Sequence, residues 1–107
     1  MDLTREYPAA MREKLHGVVQ LRRTIDKGKA LVHGNIGEYD YNCPMDQALC
    51  TFLGIDPQAL LDVIKNASSD HQIYAYVKPF VAKKPRAEIE HWNETCLKRL
   101  PVLGSAW

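Results

Sequence analysis

The side chains with the most chemical potential lie in one short stretch. Glu38, Tyr39, Asp40 and Tyr41 set two carboxylates and two phenols just after Gly37, and glycine-hinged loops are where binding residues concentrate. Tyrosines there wall a pocket, while a carboxylate orients a ligand's donor or pairs with a cation across the fold. Arg23 and Lys27 are the cations expected to meet Glu38. Next in the chain, Cys43 precedes Pro44, the arrangement of a helix N-cap and first helical residue. A helix N-terminus favours a thiolate, which makes Cys43 a candidate nucleophile or redox thiol. Against this, Asp46 falls in the same first turn with an opposing charge, and no histidine lies close in sequence to act as a base. A capping, half-buried thiol is the plainer expectation.

Other chemistries find less support. His16, His33, His71 and His91 are widely spaced, and no C-x-x-C or H-x-x-x-H pattern gathers ligands, so neither a metal nor another cofactor is expected. Three cysteines, Cys43, Cys50 and Cys96, are an odd number in a chain long enough to fold without staples. Free thiols in a reducing, cytoplasmic setting are expected. Leu49, Cys50, Leu53, Gly54, Ile55, Leu60 and Val63 resemble the pattern of a helix-turn-helix. Its second helix would nevertheless expose Gln58, Asp62 and Lys65 after Asp56, and phosphate contacts require Lys or Arg. Nucleic acid is therefore not an expected partner. Met1 to Tyr7 carry Asp2, Arg5 and Glu6 with no apolar run behind them, so no secretory signal and no membrane association is expected.

The whole chain has 107 residues, 46% of them hydrophobic and 25% charged, which predicts one globular domain spanning residues 1–107. Its net charge is +1, divided along the chain as +3 over residues 1–37, −5 over 38–74 and +3 over 75–107. Packing of these segments against one another is the expected use of the asymmetry, ahead of a charged partner surface.

The elements that must position the loop follow from periodicity. Tyr7, Met11 and Leu15, with Pro8 where a first helical residue tolerates it and Gly17 just past the end, predict a short first helix. Val18, Leu21, Ile25 and Val32 predict a longer helix over 18–32, with Arg22, Arg23, Asp26, Lys27 and Lys29 on its other faces and Arg22 paired to Asp26. Gly28 costs this helix about 1 kcal/mol in propensity, so close approach of a neighbour is its expected compensation. A helix after Cys43 turns Met45, Leu49, Phe52 and Leu53 inward and stops at Gly54. Asp56 and Pro57 open the next, carrying Leu60, Leu61 and Ile64. Ser69 and Gln72 fit a capping box before a helix with Ile73, Tyr76 and Val77 inward, ending near Pro79. Pro85 opens the last helix, with Ile89, Trp92, Cys96 and Leu100 on one face and Pro101 at its end. The fold class is all-α: a compact bundle of five or six short helices with one long glycine-containing loop over about residues 33–43.

Several of these residues in order, Ile25-Asp26-Lys27, Gly37-Glu38-Tyr39, Cys43-Pro44-Met45-Asp46 and Phe52-Leu53-Gly54, resemble the bacterial family DUF5069, a domain of unknown function. The resemblance runs from about Tyr7 and Pro8 to Trp92. It implies a small helical bacterial protein standing alone as one cytosolic domain, with no established activity. Gly28 and Lys29 stand where the family pattern has alanine and arginine, which speaks against anion binding at that turn.

The function expected from these observations is a non-catalytic module binding a small molecule or protein. Its site is the 37–46 loop together with helix 18–32, with Arg23, Asp26, Lys27, Glu38, Tyr39, Tyr41 and Asp46 as ligand-binding candidates. The alternatives are a thiol-dependent enzyme or redox protein using Cys43, and a small oligomeric scaffold built on charge segregation and the Trp107 tail.

Overall fold

A computed structural model describes the backbone of residues 2–103 and the side chains of residues 2–98. The expected packing of Leu100 and of the Trp107 tail lies outside the described residues. Two short strands, β1 (Lys14–Leu15) and β2 (Val18–Val19), pair antiparallel with Lys14 opposite Val19 and Leu15 opposite Val18. They precede α1 (Leu21–Val32), α2 (Pro44–Leu53), α3 (Pro57–Asn66), α4 (Asp70–Ala82) and α5 (Arg86–Leu103). Among the described residues the chain is thus five helices and one two-stranded hairpin, mostly helical as expected, with a single long loop over 33–43. No helix of the described residues is long and apolar enough to cross a membrane.

The first predicted helix is absent, and Tyr7, placed on its inner face, is 86% exposed. A helix of nine residues is marginal without tertiary support, and here stronger partners claim its backbone. The Ala9 N–H donates to the Asp26 carboxylate at 2.8 Å, and the Gln20 N–H donates to the Met11 carbonyl at 2.8 Å. His16 (φ 52°) and Gly17 (φ 83°) then make a two-residue turn with positive φ at both central positions, the geometry that matches the twist of paired strands. Val18 and Val19 accordingly belong to β2, and α1 begins three residues later than the periodicity places it.

Helix α1 is enclosed through its middle. Thr24, Ile25, Asp26, Lys27 and Gly28 are all buried, and five consecutive residues at about 100° per step sweep the full circumference of a helix. Asp26 and Lys27, assigned to its solvent side by periodicity, are each 4% exposed. Arg22 pairs with Glu13 at 3.8 Å in place of the expected Asp26. Where α1 crosses α3, a Cβ on Gly28 would stand 2.8 Å from Ile64 Cδ1 and 3.1 Å from the Tyr41 ring, which is the close approach expected to compensate for glycine.

The core is formed by Leu21 and Ile25 of α1 with Leu49 and Leu53 of α2, Leu60 and Ile64 of α3, and Ile73, Val77 and Val81 of α4. A second cluster joins Met11, Val19, Met45 and Cys96, with Cys43 and Trp92 packed against it. Gly54 ends α2 in the left-handed region at φ 76°, and the Asp56 carboxylate caps α3 by accepting the Gln58 N–H at 3.0 Å. Helix α4 opens after Ser69, although Gln72 accepts from the Ser68 N–H, one residue before the predicted box. It continues past Pro79 to Ala82, since Val77 and Val81 on either side of the proline are both buried and hold the turn on the core. Helix α5 likewise runs past Pro101. It clamps the hairpin: Asn93 Oδ1 accepts from the Val19 N–H at 3.0 Å, Asn93 Nδ2 donates to the Gly17 carbonyl at 2.8 Å, and Trp92 Nε1 donates to the Val19 carbonyl at 3.2 Å. The basic first third meets the acidic middle through Lys27–Asp46 at 2.7 Å and Lys29–Asp70 at 2.8 Å.

Candidate functional site

The loop and α1 do meet, but their polar residues divide into an interior cluster and an outer groove. The interior cluster centres on Asp46, which is 0% exposed. As the third residue of α2, Asp46 accepts the Cys43 N–H on Oδ2 at 3.2 Å, a capping contact that fixes the carboxylate beneath the helix start. The same oxygen lies 2.7 Å from Lys27 Nζ. Its Oδ1 accepts from Gln20 Nε2 at 3.0 Å and from the Thr24 hydroxyl. Lys27 Nζ also contacts Cys43 Sγ at 3.4 Å. Burial by itself pushes the Asp46 carboxyl up; the Lys27 ammonium and the hydrogen bonds from Lys27, Thr24 and Gln20 outweigh it and hold the group below its ordinary value. Asp46 therefore stays ionised, its charge matched by Lys27.

Gln20 is the irregular member. It is 1% exposed, its φ is 73°, and its Oε1 has no hydrogen-bond partner. A left-handed backbone at a residue other than glycine, asparagine or aspartate costs energy, and so does an orphaned buried acceptor.

The outer groove, about 490 Å³ in volume, lies between the N-terminal segment and the loop, and Leu3, Thr4, Arg5, Glu6, Tyr7, Gly37, Glu38 and Tyr39 line it. The Leu3 N–H donates to the Asn35 carbonyl at 2.7 Å and ties the two walls together. Gly37 is required at this seam: its φ is 63°, and a Cβ there would lie 3.1 Å from the Leu3 carbonyl oxygen. Behind the groove the Arg23 guanidinium sits 5.6 Å from the centroid of the Tyr39 ring and donates to the Ala9 carbonyl at 3.3 Å.

The candidates read from the sequence thus scatter. Glu38 and Tyr39 face the groove with Arg23 behind Tyr39, while Lys27, Cys43 and Asp46 share the interior cluster. Asp26 holds the N-terminal segment through Ala9. Tyr41 braces the fold, donating its hydroxyl to the Pro57 carbonyl at 2.9 Å while its ring faces Gly28; burial, then the neighbouring Cys50 and the Asp46 and Asp56 charges, raise its phenol well above the ordinary value. The cations expected to meet Glu38 are engaged elsewhere, Arg23 with Tyr39 and Lys27 with Asp46.

Gln20 and Thr24 are members of the interior cluster that sequence reasoning passed over. Their signal was present: polar residues at 20, 24 and 27 follow the i, i+4, i+7 rule and share one helical face. A second concavity, about 530 Å³, is bounded by Phe52, Ala87, Glu88, His91, Trp92 and Thr95. Phe52 and Trp92 stack there with centroids 5.0 Å apart and planes 6° from parallel, and Lys84 Nζ stands 4.9 Å from the Phe52 centroid. Periodicity marked both aromatics as core, and each is only half-buried.

Residues 5–107 match the family described as Domain of unknown function (DUF5069), and the chain belongs to that family. No curated protein matches it.

Proposed function

We propose that this DUF5069 protein is a non-catalytic binding module, and that the groove between residues 3–7 and 37–39 takes a small organic cation. The observation that carries this reading is Tyr7, a large aromatic residue 86% exposed at the rim of a concavity that also presents Glu6, Glu38 and Tyr39. Exposed aromatic faces attract cations through their quadrupole, and Tyr39 already holds one, the Arg23 guanidinium. Glu6 and Glu38 supply the countercharge, and Arg5 selects against cations without an acceptor of their own.

Choline and betaine, which carry an acceptor for Arg5, are suitable probes, with putrescine, which carries none, as the expected weaker binder, each followed by two-dimensional NMR of the labelled protein. A weak ligand with a Kd of about 1 mM corresponds to only about 4 kcal/mol, so titration extends to about 10 mM. The expected result is saturable shifts confined to residues 3–7 and 37–39 for at least one probe, weakened about tenfold by Glu38→Gln. The Glu38→Gln, Tyr7→Ser and Tyr39→Leu proteins are expected to keep their stability within about 1 kcal/mol, as surface changes do. Shifts mapping to Phe52 and Trp92, or no shift with any probe, would remove the groove from consideration.

The setting we propose is the cytoplasm of a bacterial cell. It is supported by the family resemblance and by Cys43 and Cys50, which form no disulfide.

A further inference from the structure

We propose that Cys43 and Lys27 form a reversible covalent link when a peroxide oxidises the protein. The proposal is independent of the groove, which neither residue lines. Three features of the interior cluster support it. Cys43 is only half-buried, unlike Cys50 and Cys96, and Lys27 Nζ already touches its Sγ at 3.4 Å. Lys27, 4% exposed, has its second partner in the Asp46 carboxylate at 2.7 Å, so a proton acceptor adjoins the amine. Gln20 Oε1, buried without a partner beside that carboxylate, is a spare acceptor that the reduced protein does not use.

The chemistry balances in two steps. The Cys43 thiol attacks one oxygen of hydrogen peroxide, the O–O bond breaks, and Cys43 sulfenic acid forms with release of one water. Lys27 then passes a proton to Asp46 Oδ2, and its freed lone pair attacks Sγ. An S–N bond forms, the S–O bond breaks, and the departing hydroxide leaves as water with a second proton from the nitrogen. The products are a neutral sulfenamide and a neutral Asp46 acid; on Oδ1, the oxygen that faces Gln20, the proton meets Oε1 once that amide turns over. Sulfur is oxidised by two electrons and peroxide is reduced. A thiol reductant reverses the link by attacking sulfur and returning the amine.

Of the two other thiols, Cys50 is the poorer competitor. Cys50 is 3% exposed, and burial, with the Asp46 and Asp56 charges, pushes its thiol up to about 12. Cys96, 2% exposed, lies in the apolar cluster against which Cys43 packs, so a Cys43–Cys96 disulfide is the rival product and has the same mass.

The test is peroxide treatment of the intact wild-type protein, followed by intact mass and peptide mapping. A loss of about 2 Da is expected, with the Cys43 peptide joined to the peptide containing Lys27, trypsin no longer cutting after Lys27, and full reversal by dithiothreitol. The Cys96→Ala protein is expected to form the same link, and Lys27→Arg, which keeps the charge but not the amine, to accumulate sulfenic or sulfinic acid at Cys43. A Cys43–Cys96 bridge in the wild type, or gains of about 16 or 32 Da at Cys43 with Lys27 free, would overturn the proposal.

Discussion

At the scale of single residues, Asp46 concentrates the energetics. Its carboxylate is fully buried and meets four donors, from Cys43, Lys27, Gln20 and Thr24. A buried pair of this kind does not by itself mark a gain in stability, because desolvating both charges offsets their attraction. Removing one partner is costly, since the other is left uncompensated. Asp46→Asn is expected to lower the free energy of unfolding by about 3–5 kcal/mol in a urea titration. The pH dependence follows from the direction of its shift. A carboxyl held below its ordinary value of 3.8 contributes stability that is fully present above that value and is lost as pH falls through the lower folded value. Acid unfolding of the wild type is therefore expected to show a component below about pH 4 that the Asp46→Asn protein lacks.

Among elements, the crossing of α1 and α3 sets the strictest tolerance. Alanine at position 28 would gain about 1 kcal/mol in helix propensity, but its Cβ would fall 2.8 Å from Ile64 Cδ1 and 3.1 Å from Tyr41. The Ile64 methyl is the end of a flexible side chain, whereas the Tyr41 ring is held by its hydroxyl on Pro57. Overpacking of this kind costs about 1–3 kcal/mol, so Gly28→Ala is expected to destabilise the protein on balance, with part of the loss recovered by adding Ile64→Val. Equal stability of Gly28→Ala and wild type in calorimetry would mean that α3 moves aside freely. The helices α2 to α5 were legible in the sequence because each carries its own signals: Pro44 and Gly54, Asp56 and Pro57, Ser69, and Pro85. Residues 7–15 misled because Tyr7, Met11 and Leu15 fit the helical period although the partners of their backbone lie elsewhere. A period of four cannot reveal that Asp26, seventeen residues on, takes the Ala9 N–H.

For the whole molecule, burial of Cys50 and Tyr41 decides the response to alkali. Cys50 and Tyr41 are both kept neutral by burial, with their thiol and phenol raised above the ordinary values of 9.0 and 10.0. An acid whose folded value is raised contributes stability that is full below its unfolded value and is lost as pH rises beyond it. The urea midpoint is expected to decline from about pH 9 upward, and Cys50→Ala to make that decline shallower. A flat profile to pH 11 would show that neither group is sheltered as the structure has it.

Cap residues, prolines and apolar spacing along the chain were sufficient to determine a mostly helical domain, the glycine-hinged loop at 33–43 and the stretch in which polar and aromatic residues gather. These are local properties, carried by neighbours three or four positions apart. Only tertiary structure decided that Asp26 and Lys27 are interior, that Tyr41 braces a helix crossing while Tyr39 borders a groove, and that Cys43 rests against Lys27. The physical reason is that periodicity presumes a helix with one face in water. Helix α1 exposes Arg22 and Leu31 but is buried all round through its middle, residues 24–28, where burial selects a new partner for Asp26 and Lys27.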